Sequence, residues 1–171
     1  MKILGIDPGI GICGFGLVDY VASKGMKALD FGAVTTKVDA PLPSRLLELY
    51  DSLVQVFKET KPEVVAVEKL FFSKNITTGI AVAEARGIVL LVAEQRNVPV
   101  YEYTPNEIKK SLTGYGSATK TQMEEMVKVH LGLEKKPRPD DAADALAVAI
   151  TCSFLHQLGQ GNDYKFSNSR R

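Results

Sequence analysis

Ile3-Leu4-Gly5-Ile6-Asp7-Pro8-Gly9-Ile10-Gly11 is the stretch that decides the fold. An unbroken apolar run ends on a carboxylate, and a proline and two glycines then turn the chain. Such a run suits a strand covered on both faces, as in a parallel sheet under two layers of helix. Val64-Val65-Ala66-Val67-Glu68 repeats the pattern, again closing on an acid. In mixed sheets of this kind the working crevice lies beyond the carboxyl ends of the parallel strands. Asp7 and Glu68 stand at two such ends.

Two further acids share one face of an apolar helix. In Asp140-Asp141-Ala142-Ala143-Asp144-Ala145-Leu146-Ala147-Val148-Ala149-Ile150, positions 141 and 144 lie three apart, close to the helix N-terminus, where the dipole favours anions. Asp140, one residue out of phase, reads as an exposed first-turn or capping residue. Taken singly, Asp7 before Pro-Gly would serve as an Asx turn and Glu68 as a surface residue. Taken together, the four acids would repel one another unless a cation lay among them. Oxygen donors alone suit magnesium, which keeps waters and accepts phosphate oxygens. Two ions roughly 4 Å apart would activate water on one side of a phosphorus and stabilise the leaving 3′ oxygen on the other. His130 and His156 are isolated, so zinc is disfavoured, and neither a Walker loop nor a nucleophile elbow occurs.

The whole chain, of 171 residues, fits one domain with a full core and a short tail: 1–157 as the domain, 158–171 as a disordered polar end. With 45% hydrophobic and 24% charged residues it is an ordinary globular composition. No signal segment precedes the first strand, no apolar run reaches membrane length, and Cys13 and Cys152 lack metal spacing, so a cytoplasmic location is expected. Net charge is +1, yet residues 69–138 carry eleven basic against seven acidic side chains, a local excess in the middle of the chain.

Around these acids the periodicities give a three-stranded antiparallel meander, a helix with Leu46, Leu49, Leu53 and Phe57 inward, and the strand to Glu68. A helix over 79–96 follows, then a strand to Tyr103, short helices on either side of Gly114-Tyr115-Gly116, and the acid-bearing helix. The expectation is an α/β fold with a five-stranded mixed sheet flanked by helices. The 79–96 helix is apolar nearly all round, with Ala81, Ala83, Ala85 and Gly87 among its small positions, and it serves equally as a subunit contact or a central core helix.

These motifs, in this order, resemble the RuvC family of Holliday-junction nucleases: Ile6-Asp7-Pro8-Gly9; Glu68 with Phe71 and Lys74-Asn75; Glu84-Ala85-Arg86-Gly87; Gly114 through Lys120; and Asp141 through Ala147. The similarity runs from residue 3 to about residue 155. It implies an RNase H-like fold and a homodimer that nicks opposed strands of a four-way DNA junction symmetrically, in recombination and repair, leaving 5′-phosphate and 3′-hydroxyl ends. It also implies work with the RuvA and RuvB branch-migration proteins. By residue match, Asp7, Glu68, Asp141 and Asp144 form the acidic set for magnesium, with manganese as a substitute. Lys109 and Lys120 match DNA-contacting lysines, with Lys74 and Arg86 as further candidates, and Phe71 matches an aromatic that stacks on a base. Independently, paired rings directly after a strand-end acid suit base stacking, with Phe72 the better core anchor.

Three other readings compete. Actin-like and sugar-kinase ATPases open similarly but need two such domains. A nuclease for RNA–DNA hybrids shares the acids but not the middle of the chain. A non-catalytic junction binder would not require all four acids.

Overall fold

The computed structural model describes residues 1–69 and 76–157, so Phe71, Phe72, Lys74 and the 158–171 tail lie outside the described residues. Strands β1 (Lys2–Asp7), β2 (Ile12–Val21) and β3 (Gly25–Thr35) form the expected meander. Helix α1 (Leu42–Thr60) leads to β4 (Val64–Glu68), and α2 (Ile76–Gln95) to β5 (Val100–Tyr103). Helices α3 (Pro105–Thr113), α4 (Lys120–Leu131) and α5 (Asp140–Gln157) complete the described chain. The sheet runs β3-β2-β1-β4-β5, antiparallel through β1 and parallel from β1 to β4 to β5.

Local chemistry sets the boundaries. Pro41 and Pro43 are tolerated at the start of α1, where backbone N–H groups lack helical acceptors, and left-handed Lys61 followed by Pro62 ends it. Helices α3 and α4 each begin with a capping box, Thr104 with Glu107 and Thr119 with Gln122.

Both faces of the sheet are covered. Leu4, Ile6, Val65 and Val67 pack with Leu49, Leu53 and Phe57 of α1 and Val89 and Val92 of α2. Ile3, Val64 and Ala66 pack on the side of α3, α4 and α5. Alternation along a strand therefore decides where each terminal acid points. Asp7, two residues beyond Gly5, and Glu68, two beyond Ala66, both face the layer of α5.

Helix α5 crosses β1 and β2 at a separation only glycine permits. A Cβ on Gly5 would overlap the carbonyl of Ala145, and one on Gly14 the carbonyl of Asp141. Those contacts carry the helix's first turns over the end of β1. Among the described residues no helix is long and apolar enough to cross a membrane.

Candidate active site

Asp7, Glu68 and Asp144 line one cleft of about 260 Å³, together with Lys109, Lys120 and Met123. Asp141 is seated beside the cleft: its backbone and Cβ abut Gly14, the register partner of Asp7 on β2. It is close enough to add its charge to the field at Asp7. The two strand ends and the helix face thus supply acids to one region, three of them to a shared cleft. A second cavity, of about 560 Å³, lies across the sheet between the β1–β2 turn, α1 and α2, and Asp7, Glu68, Asp141 and Asp144 take no part in it.

Burial and the neighbouring carboxylates together raise the proton affinity of the strand-end acids. Burial, followed by the charges of Asp144, Glu68 and Asp141, pushes the Asp7 carboxyl up to about 7, with Lys120 pulling the other way. Glu68 is raised as well, by burial and then by Asp144, against the opposing pull of Lys109. Partial burial disfavours the Lys120 ammonium, but its hydrogen bond to Asp144 and the surrounding carboxylates outweigh that, and its pKa lies above the ordinary lysine value.

Both lysines owe their place to helix starts. The Thr119 capping box makes Lys120 the first residue of α4, and its Nζ lies 3.2 Å from Asp144 and 3.7 Å from Asp140. The Thr104 box fixes α3, on which Lys109 reaches the cleft near Glu68. The Thr-x-x-Gln spacing from Thr119 was a readable signal for this position of Lys120. The Asp140–Asp144 spacing of four likewise puts Asp140 on the face of Asp144, so it serves as a second anchor for Lys120 and a partner for Arg138 as well as opening the helix.

Arg86 is placed elsewhere. Glu102 stands in register with Val67, whose side chain packs with α1 and α2, and Arg86 reaches across from α2 to ion-pair with Glu102. That puts its guanidinium in the layer opposite the acids. Ala85 is fully buried, whereas Ile80 and Leu91 are about half exposed, at 50% and 47%.

All the donors are carboxylate oxygens, the class hard divalent cations prefer. Among the described residues no three His, Cys, Asp or Glu side chains stand close enough to hold one ion in common as they are arranged. Asp144 is instead paired with Lys120. Burial first, and then three neighbouring carboxylates, raise the proton affinity of Asp7, and an all-oxygen donor set of this kind fits a divalent cation.

The family model for Crossover junction endodeoxyribonuclease RuvC matches residues 3–152. The Pseudothermotoga lettingae crossover junction endodeoxyribonuclease RuvC is 50% identical over 149 residues, covering 87% of this chain and 91% of that one. The Brevibacillus brevis protein of the same name is 48% identical over 151 residues, covering 88% and 90%. Thermus thermophilus RuvC, solved in complex with a Holliday junction substrate, superposes with a TM-score of 0.86 at 34% identity over 95% of this chain and 99% of that one. With the family match running from residue 3 to residue 152 and so through all five strands, this chain belongs to the RuvC family of crossover junction endodeoxyribonucleases, metal-dependent nucleases of RNase H-like fold.

Proposed function

We propose that this chain resolves four-way DNA junctions, with Asp7, Glu68, Asp141 and Asp144 holding two magnesium ions, for which manganese can substitute. The observation that carries the reading is the cleft in which two strand-end acids meet Asp144, with Asp7 raised to about 7 by burial and its acidic neighbours. Magnesium, when bound, supplies charge neutralisation at phosphate oxygens and a water of lowered pKa. The chain's own residues supply the rest. The sheet fixes Asp7 and Glu68, and the close crossing at Gly5 and Gly14 fixes α5 above them. Lys109 and Lys120, at the rim of the same cleft, neutralise the DNA backbone, so junction binding weakens with salt.

Phe71 and Lys74, outside the described residues, are proposed to meet the crossover, Phe71 by stacking on a base and Lys74 on a phosphate. A DNA contact by Arg86 needs release from Glu102 and is the least supported member of the set. Paired cuts across a two-fold junction suit a two-fold protein, and the exposed Ile80 and Leu91 of α2 support a homodimer contact along that helix. Action in the cytoplasm beside RuvA and RuvB completes the proposal, as does the production of 5′-phosphate and 3′-hydroxyl nicks.

Separate incubation of a four-way junction, an RNA–DNA hybrid and ATP with protein and magnesium tests it. Cleavage of the junction alone, with ligatable nicks, is expected. Hybrid cleavage or ATP hydrolysis without junction cleavage would overturn the reading.

A further inference from the structure

Behind Asp7 the chain makes the β1–β2 turn, and three elements meet on it. Thr36, one residue past the end of β3, donates its hydroxyl to the carbonyl of Ile10 at 2.6 Å. Its backbone N–H donates to the carbonyl of Gly11 at 3.2 Å. The same hydroxyl accepts a hydrogen bond from Nε of Arg45, on α1, at 3.0 Å. The relay is sheltered, with Thr36 and Ile10 each 7% exposed.

Toward α1 and α2 the turn adjoins open space at its glycines, while the Ile10 side chain is packed in the core. Gly9, Ile10 and Gly11 border the cavity of about 560 Å³, whose wall also includes Arg45 of α1 and Ile80 and Ala81 of α2. Gly9 and Gly11 bring no side chain to hold the turn on that side, so the hydrogen bonds at Ile10 and Gly11 add to the packing of Ile10 in opposing a shift. A shift there acts on both ends of the Asp7–Gly14 register pair. Asp7 moves with β1, and Gly14 carries the contact with Asp141.

We infer that Thr36 and Arg45 are positioning residues for cleavage, bracketing the β1–β2 turn so that Asp7 and Asp141 keep their relative placement. Neither side chain lines the acidic cleft, so both act through the turn. The inference rests on the acids being the catalytic set.

The test compares Thr36→Val, Thr36→Ser and Arg45→Met with wild type and with Asp7→Asn, using the full chain. Three quantities are read: single-turnover junction cleavage in magnesium, junction affinity in calcium, and amide hydrogen exchange over residues 9–12. Thr36→Val is expected to raise exchange in the turn and slow cleavage about 10- to 100-fold, the cost of a small misplacement of reacting groups. Junction affinity should stay at the wild-type value. Thr36→Ser, which keeps the hydroxyl, should restore both readouts, and Arg45→Met should follow Thr36→Val in direction. Wild-type cleavage in Thr36→Val and Arg45→Met, with Asp7→Asn inactive, would overturn the bracket and leave the acids standing. A loss of junction affinity without a loss of single-turnover rate would make Arg45 a DNA contact and overturn it equally. Cleavage by Asp7→Asn at the wild-type rate would overturn the reading of the acids and the inference with it. Should Thr36→Val fail to fold, Arg45→Met decides, since it removes only the outer bond.

Discussion

Lys120 Nζ lies 3.2 Å from Asp144 Oδ2, so a lysine proposed to meet DNA and an acid of the proposed metal set are tied to each other. Any cation that takes Asp144 competes with this ammonium, and any phosphate that takes Lys120 frees Asp144. On the proposed reading, substrate and metal are thereby coupled at one carboxylate.

Lys120→Met should therefore change catalysis more than stability. Both partners are well exposed, at 55% and 41%, and exposed ion pairs contribute about 1 kcal/mol or less. Lys120 also lowers the proton affinity of Asp7. Its removal should move the acid limb of the cleavage pH profile to higher pH with little change in Tm. An unmoved pH profile would separate Lys120 from the acids.

Asp7 sets a pH dependence of stability with a definite sign. Its carboxyl rises from 3.8 to about 7 on folding, so the folded chain holds more protons than the unfolded one between those values. Stability without divalent ions should fall as pH rises through that window, relative to Asp7→Asn, and the full penalty should be present above about pH 7. Magnesium should offset the loss most at the alkaline end, where its ligands are already deprotonated. Thermal melts of the two proteins across pH check this; parallel curves would remove Asp7 from the acidic cluster.

Gly14→Ala should destabilise the chain by about 3 kcal/mol, at the upper end of ordinary overpacking, because the new methyl meets the Asp141 backbone and not a yielding side chain. Urea denaturation measures the loss. A change within error would mean that α5 can lift from the hairpin without cost.

The proposed dimer face is tested at Leu91, since Ala85 is fully buried and a charge there would break the fold of one chain. Leu91→Glu should sediment as a monomer with an unchanged Tm, and should make single nicks in place of paired ones. A dimer of wild-type stability would move the contact off this face of α2.

Much of this was legible because strands state their ends plainly. The runs closing at Asp7 and Glu68, and the Asp141–Asp144 spacing, needed only periodicity to be assigned to one edge of the sheet. Face parity was harder. Arg86 falls in a motif beside the acidic ones in sequence, yet its partner Glu102 stands in register with Val67 and so faces the opposite layer. That assignment needs the β4–β5 register, which no local pattern encodes. Helix α2 was ambiguous for a related reason: its composition is apolar all round, and only packing against α1 and β4 distinguishes buried Ala85 and Val89 from exposed Ile80 and Leu91. The tie between Lys120 and Asp144 joins α4 to α5, so it too required the tertiary fold.

The most direct test of the central claim is cleavage of a synthetic four-way junction by Asp7→Asn and Glu68→Gln in magnesium, with junction binding measured on the same samples. Both substitutions keep shape and remove charge. The account predicts that cleavage is abolished in each while binding is largely retained, because Lys109 and Lys120 remain at the rim of the cleft. Cleavage near the wild-type rate by either variant would contradict it.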